Sequence, residues 1–131
     1  MGFLFHTIDG RLVPGTEYHA CGAITPKVGL ALYVNNGKLA VAAGTTKPTY
    51  ICLRHEDAAV TAGTVIPVAR VLPDTIFETT ASASLASVNV GAKVTVSADG
   101  LQVTGTTEGG TAEIVSMDGT AAGSVVRVRF A

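Results

Sequence analysis

There is no tryptophan in this chain of 131 residues, and aromatics as a whole make up 5%. That is too few rings for the stacking platforms that sugar-binding and single-strand-binding surfaces use. Tyr18, Tyr33 and Tyr50 stand apart from any basic run and read as ordinary packing residues with the hydroxyl at the surface. Charge is sparse too. The formal net charge is −1, and the densest basic spot is Arg127 with Arg129, which is no electrostatic footprint for nucleic acid or an anionic membrane. No stretch approaches the roughly 20 apolar residues that span a bilayer. The opening Met-Gly-Phe-Leu-Phe lacks a basic leader and a cleavage site, so no secretion signal is expected. His6 stands where a myristoylation motif requires Ser or Thr. The two cysteines, Cys21 and Cys52, leave a pairing open, but free and mostly buried thiols, as in a protein assembled in a reducing cytoplasm, are the favoured reading.

Chemistry is equally thin. His6, His19 and His55 are far apart, and none has a partner at metal-ligand spacing, so neither a metal nor a cofactor is expected. His55-Glu56-Asp57 is the densest polar triplet, but neighbours in sequence point in different directions, so it reads as a solvated loop tip. Cys52 near His55 suggests a Cys/His pair less than it suggests a buried structural cysteine. Phosphate loops are missing: "GTTKPT" has the residue types in the wrong order, and "EGGTAE" has no lysine. Asp74 and Glu78 near Arg70 are acids without the aromatic platform that sugar hydrolysis uses. Enzymatic activity is not expected.

What the chain does have is valine, alanine and 15 glycines in short alternating runs, the composition of strands and turns. In Val90–Ser97, Val90, Ala92, Val94 and Val96 share one face while Lys93, Thr95 and Ser97 share the other. Asp99-Gly100 is a hairpin turn signal. Val126, Val128 and Phe130 alternate with Arg127 and Arg129 in the clearest strand. The one helical signal is a single turn within Thr80–Asn89.

These runs occur twice. "VGLALYVNNGKLAV" (28–41) is echoed by "VGAKVTVSADGLQV" (90–103), and "AGTVIPVARV" (62–71) by "AGSVVRVRF" (122–130). The copies differ in informative places. Pro67 replaces Arg127, which predicts an edge strand or a bulge, and Arg70 replaces Phe130. A unit of this size buries too little apolar surface to be secure alone, so two copies sharing a core are expected. The expectation is an all-β fold, a compact barrel or sandwich of two homologous β units with an extended N-terminal arm. Its parts are 1–27 (arm and entry strand), 28–80 (first unit and bridge) and 81–131 (second unit). Phe3, Leu4 and Phe5, with Ile76 and Phe77, exceed what the repeat cores obviously consume and are expected as contact surface.

The segments Gly29–Leu53 with Ala62–Val71, and Val90–Thr104 with Ala121–Phe130, resemble the small β-rich proteins that decorate the capsids of tailed phages and prophages. The likeness covers roughly Ala23 to Ala131 and consists of patterns of glycine, valine and turns. It implies a non-catalytic structural protein, often a homotrimer, that binds the major capsid protein on the outside of the assembled head and braces it. Location on the virion surface after assembly in the host cytoplasm is implied as well. In that family an N-terminal arm commonly adds a strand to a capsid sheet, a part that Met1 to Val13, with Phe3 and Phe5 as anchors, would play here. The alternative is a non-catalytic β-sandwich binding module, either a phage tail component or a carbohydrate-binding domain.

Overall fold

The alternating runs become strands. The computed structural model describes residues 2–8 and 14–130, and among them it contains strands, turns and loops but no helix. The strands are β1 (Leu4–Ile8), β2 (Thr16–Ala20), β3 (Ala31–Asn35), β4 (Lys38–Val41), β5 (Tyr50–Cys52), β6 (Val65–Arg70), β7 (Thr75–Thr80), β8 (Lys93–Val94), β9 (Ala112–Met117) and β10 (Val125–Phe130). They form two five-stranded antiparallel sheets, ordered β2-β6-β5-β3-β4 and β1-β7-β10-β9-β8. Turn chemistry sets the tight joins. Between β3 and β4, Asn36 and Gly37 both have positive φ, 51° and 77°, the conformation that matches a two-residue hairpin to strand twist.

Leaving β1 aside, the sheets follow one plan. The order β2-β6-β5-β3-β4 in one is matched by β7-β10-β9-β8 in the other, with Val103 bridged to Val96 just past β8. Connecting hydrogen bonds match as well. The Cys21 N–H donates to Thr64 and its carbonyl accepts from Gly63; Ala81 does the same with Ser124 and Gly123. Each of these pairs of positions is 60 apart in the sequence. A parallel bridge, Cys21 to Leu39 in one sheet and Ala81 to Val103 in the other, curls each sheet toward closure. The first strands of the two series are therefore β2, from the expected entry segment, and β7, from the expected bridge.

Two cores fill these curls. Cys21, Leu30, Leu32, Leu39, Tyr50, Cys52, Ile66 and Val68 line the first. The second is larger: Phe77, Val94, Val96, Val103, Ile114, Val126, Val128 and Phe130 are joined by Phe3 and, from the first sheet, by Ala31 and Ile51. Backbone also crosses between the sheets. Ala31 N–H donates to Gly100 (2.9 Å), and Gly44 and Val96 exchange hydrogen bonds of 2.8 and 3.2 Å. A Cβ on Gly100 would lie 2.7 Å from Val41 Cγ1, so this turn tip is glycine because it docks on the other sheet.

Several expectations change. Within Thr80–Asn89, Thr80 ends β7 and the rest forms a bridge, bends and turns, not a helical turn. Pro67 is neither on an edge nor at a bulge: β6 lies between β2 and β5 in regular register. Its carbonyl accepts from Leu53, the first residue past β5, so the missing donor falls where the neighbouring strand has ended. Val90 is exposed, because Gly91 at φ 95° turns the chain before β8. Thr95 and Ser97, expected outside, are buried. The hairpin that holds them is covered on both faces, and Thr95 Oγ1 lies 2.6 Å from Thr104 Oγ1.

Over residues 2–8 the expected arm is built into the molecule. Phe3 is 1% exposed, its N–H donates to Gly29 (2.8 Å), and β1 pairs antiparallel with β7. Met1 and residues 9–13 of that segment lie outside the described residues.

Candidate interaction surface

Among the described residues no pocket opens, and no three His, Cys, Asp or Glu side chains gather as metal ligands would. His55 Nε2 lies 3.0 Å from Asp57 on an exposed loop, and Arg54 pairs with Glu56 beside it. Cys21 and Cys52 are free and buried, and burial pushes both thiols above their usual pKa. What the described residues offer a partner is surface: two sheet faces and the strand edges.

The residues expected to make contacts divide. Phe3 and Phe77 belong to the core, with ring centroids 5.3 and 5.8 Å from that of Phe130. Phe5 is half-buried against Phe77 at 5.1 Å. Ile76 is half-buried, and Leu4 is 41% exposed. The apolar surplus expected at a self-association surface is thus largely consumed inside the chain.

Outward positions of the second sheet carry charge pairs. Arg127 Nη1 donates to Asp118 (2.8 Å), and its Nε lies 3.3 Å from Glu78. Arg129 pairs with Glu113 at 3.3 Å. The hydrogen bond from Arg127 holds the Asp118 carboxyl below its ordinary pKa.

The first sheet differs most at β2. Register places Glu17 and His19 on one face with Val68 and Ile66, and Tyr18 on the other with Pro67. On the first face Arg70 donates to both Glu17 oxygens (3.0 and 3.1 Å) and to Tyr50 Oη (2.8 Å). His19 Nε2 lies 3.0 Å from Glu17 Oε1, and the His19 and Tyr50 rings are 4.9 Å apart. Arg70 foremost, and His19 next, hold the Glu17 carboxyl below its usual range. Sixty positions on from Glu17 and Arg70 stand Phe77 and Phe130. An ion pair in one sheet occupies the places of a ring pair in the other.

On the opposite face Tyr18 is 68% exposed, Val65 54% and Leu53 36%. Leu53 donates its N–H to the Pro67 carbonyl, and Pro67 lies opposite Tyr18, so Leu53, Pro67 and Tyr18 form an apolar row that crosses from the end of β5 over β6 to β2. The alternation Thr-Glu-Tyr-His-Ala carries the period of a strand. Its inward positions are polar, so the apolar signal that marks the other strands is missing.

No family model matches this chain, and no curated protein matches it either.

Proposed function

We propose that this chain is a structural protein of a tailed-phage head, a decoration protein that binds the outer surface of the assembled capsid and stabilises it without catalysis. The observation that supports it best is the doubled all-β body: two sheets of matching strand order fastened through a shared core and crossed backbone hydrogen bonds. We further infer that the two series, β2–β6 and β7–β10, are copies of one ancestral unit. Such a body transmits load between its binding faces with little internal give, because close-packed interiors resist deformation. Many weakly bound copies on one lattice add their contacts through multivalency.

The test mixes purified protein with undecorated, expanded heads of a phage encoding it, and measures occupancy and rupture temperature together. Saturable binding with a higher rupture temperature is expected; no binding, or binding that leaves rupture unchanged, removes the capsid role. One observation favours a second reading, a carbohydrate-binding module: Tyr18 offers an open ring face beside Pro67. A glycan array read before and after Tyr18→Ala decides it, since only that reading expects binding that the substitution abolishes.

A further inference from the structure

We propose that the edge of β7, with the rings of Phe77 and Phe130 beside it, is a strand-acceptor site. β1 fills it within the chain, and β1 of a second copy fills it in a strand-exchanged dimer. The inference is independent of the capsid reading.

β1 is the strand that stands outside the doubled plan. The series β2–β6 and β7–β10 supply the two matching orders, and β1 is added to the second of them at β7. It does not arrive through a hairpin. The next strand in the chain, β2, belongs to the other sheet, and β7 begins only at Thr75. Which β7 a given β1 joins is therefore decided by non-covalent contacts, and every copy offers the same ones. An element held in that way is the kind that identical chains exchange.

The site is shaped for an aromatic strand. β1 pairs antiparallel with β7, Leu4 opposite Glu78 and Phe5 opposite Phe77. Phe3 is buried with its ring centroid 5.3 Å from that of Phe130, and Phe5 packs on Phe77 at 5.1 Å. Leu4 between them is 41% exposed. Alternate side chains in pockets and backbone hydrogen bonds along an edge are the two components of strand addition. A further contact fixes where the strand starts. Phe3 donates its N–H to Gly29 (2.8 Å), and a Cβ on Gly29 would lie 2.6 Å from that nitrogen. The first sheet carries Glu17 and Arg70 in the places of Phe77 and Phe130, so the ring pair belongs to the sheet that receives β1.

A second copy is the occupant because the strand seated in the site is this chain's own sequence. Reciprocal exchange remakes the contacts of the monomer. The dimer then competes only with the effective concentration of β1 on its own tether, on the order of millimolar. Dilute chains stay monomeric, whereas chains refolded in a crowd pair. Once formed, the pair separates slowly, because each β1 must first withdraw Phe3 and Phe5 from the rings they pack on.

The experiment uses two full-length variants, Leu4→Cys and Glu78→Cys, whose positions face each other across β1 and β7. They are unfolded in urea, mixed, refolded under reducing conditions at about millimolar concentration, and then exposed to glutathione disulfide. The native thiols, Cys21 and Cys52, are buried and stay out of the reaction. A disulfide joining one variant to the other is expected by mass. It should form at least about tenfold more than in a mixture where Glu113→Cys, on β9, replaces Glu78→Cys, because disulfide geometry is strict. Thermal melts establish that each variant is folded. If one is not, the unaltered chain decides: its refolded dimer, isolated and diluted to micromolar concentration, should persist for hours in sedimentation. Monomers alone after crowded refolding, a dimer that dissociates at once on dilution, or an equal cross-link at Glu113 would overturn the proposal.

Discussion

Glu17 with Arg70, and Phe77 with Phe130, occupy matching places and hold their sheets by different physics. The phenylalanines are fully buried, so Phe130→Ala should cost about 3–5 kcal/mol in urea unfolding. The ion pair is screened: the Glu17 side chain is 32% exposed and that of Arg70 52%. Glu17→Gln should therefore cost less than about 1 kcal/mol. Its mark should instead be pH dependence. The folded-state pKa of Glu17 is lowered from 4.5, so its contribution is present above that value and fades as pH falls through the lower, folded pKa. Wild type and Glu17→Gln should differ near neutrality and converge in acid; a difference that grows on acidification refutes the assignment. Gly29 makes a sharper case. It sits at φ 86°, and a Cβ there would lie 2.6 Å from Phe3 N, so Gly29→Ala should cost more than about 2 kcal/mol. Gly15, with open space around it, should accept alanine within about 0.5 kcal/mol.

At the scale of elements, β1 is where sequence and structure part. Phe3 and Phe5 announce an apolar segment, but nothing local says whether it reaches for a partner or for its own chain. The answer lies in long-range geometry: Gly2 and Gly29 pass close enough that a Cβ on Gly2 would lie 2.3 Å from the Val28 carbonyl oxygen, which admits Phe3 to the core. Deleting residues 1–13 is therefore expected to destabilise the fold, uncovering Phe77 and Phe130, rather than to free a spare arm. Phe3→Ala alone should cost about 3–5 kcal/mol. Circular dichroism melts would check both, and an unchanged midpoint after the deletion would show β1 to be dispensable. The hairpin of β3 and β4 and strand β10 were legible because their apolar alternation and turn residues are local signals. β2 and β7 were not recognised as counterparts, since Glu17 and His19 in one stand where Phe77 and Thr79 stand in the other.

For the whole molecule the question is whether two matched sheets unfold as two bodies or one. The first has a core of its own, which alone would permit separate transitions. The second does not: it takes Ala31 and Ile51 from the first sheet and Phe3 from the segment that bonds to Gly29. Unfolding the first sheet thus opens the second core, and losing the second strips one face of β3 and β5. Coupling of that kind makes a small domain unfold in a single transition. The composition supplies the probes. All three tyrosines, Tyr18, Tyr33 and Tyr50, lie in the first sheet, and there is no tryptophan. Tyrosine emission therefore reports the first sheet and, through Tyr33, the face that sheet turns to the second core, while far-ultraviolet circular dichroism reports the strands of both. Urea titrations followed both ways should give one shared midpoint and one shared slope. If tyrosine emission changes at a lower or higher urea concentration than the circular dichroism, the sheets are separable bodies and the shared core is not what binds them.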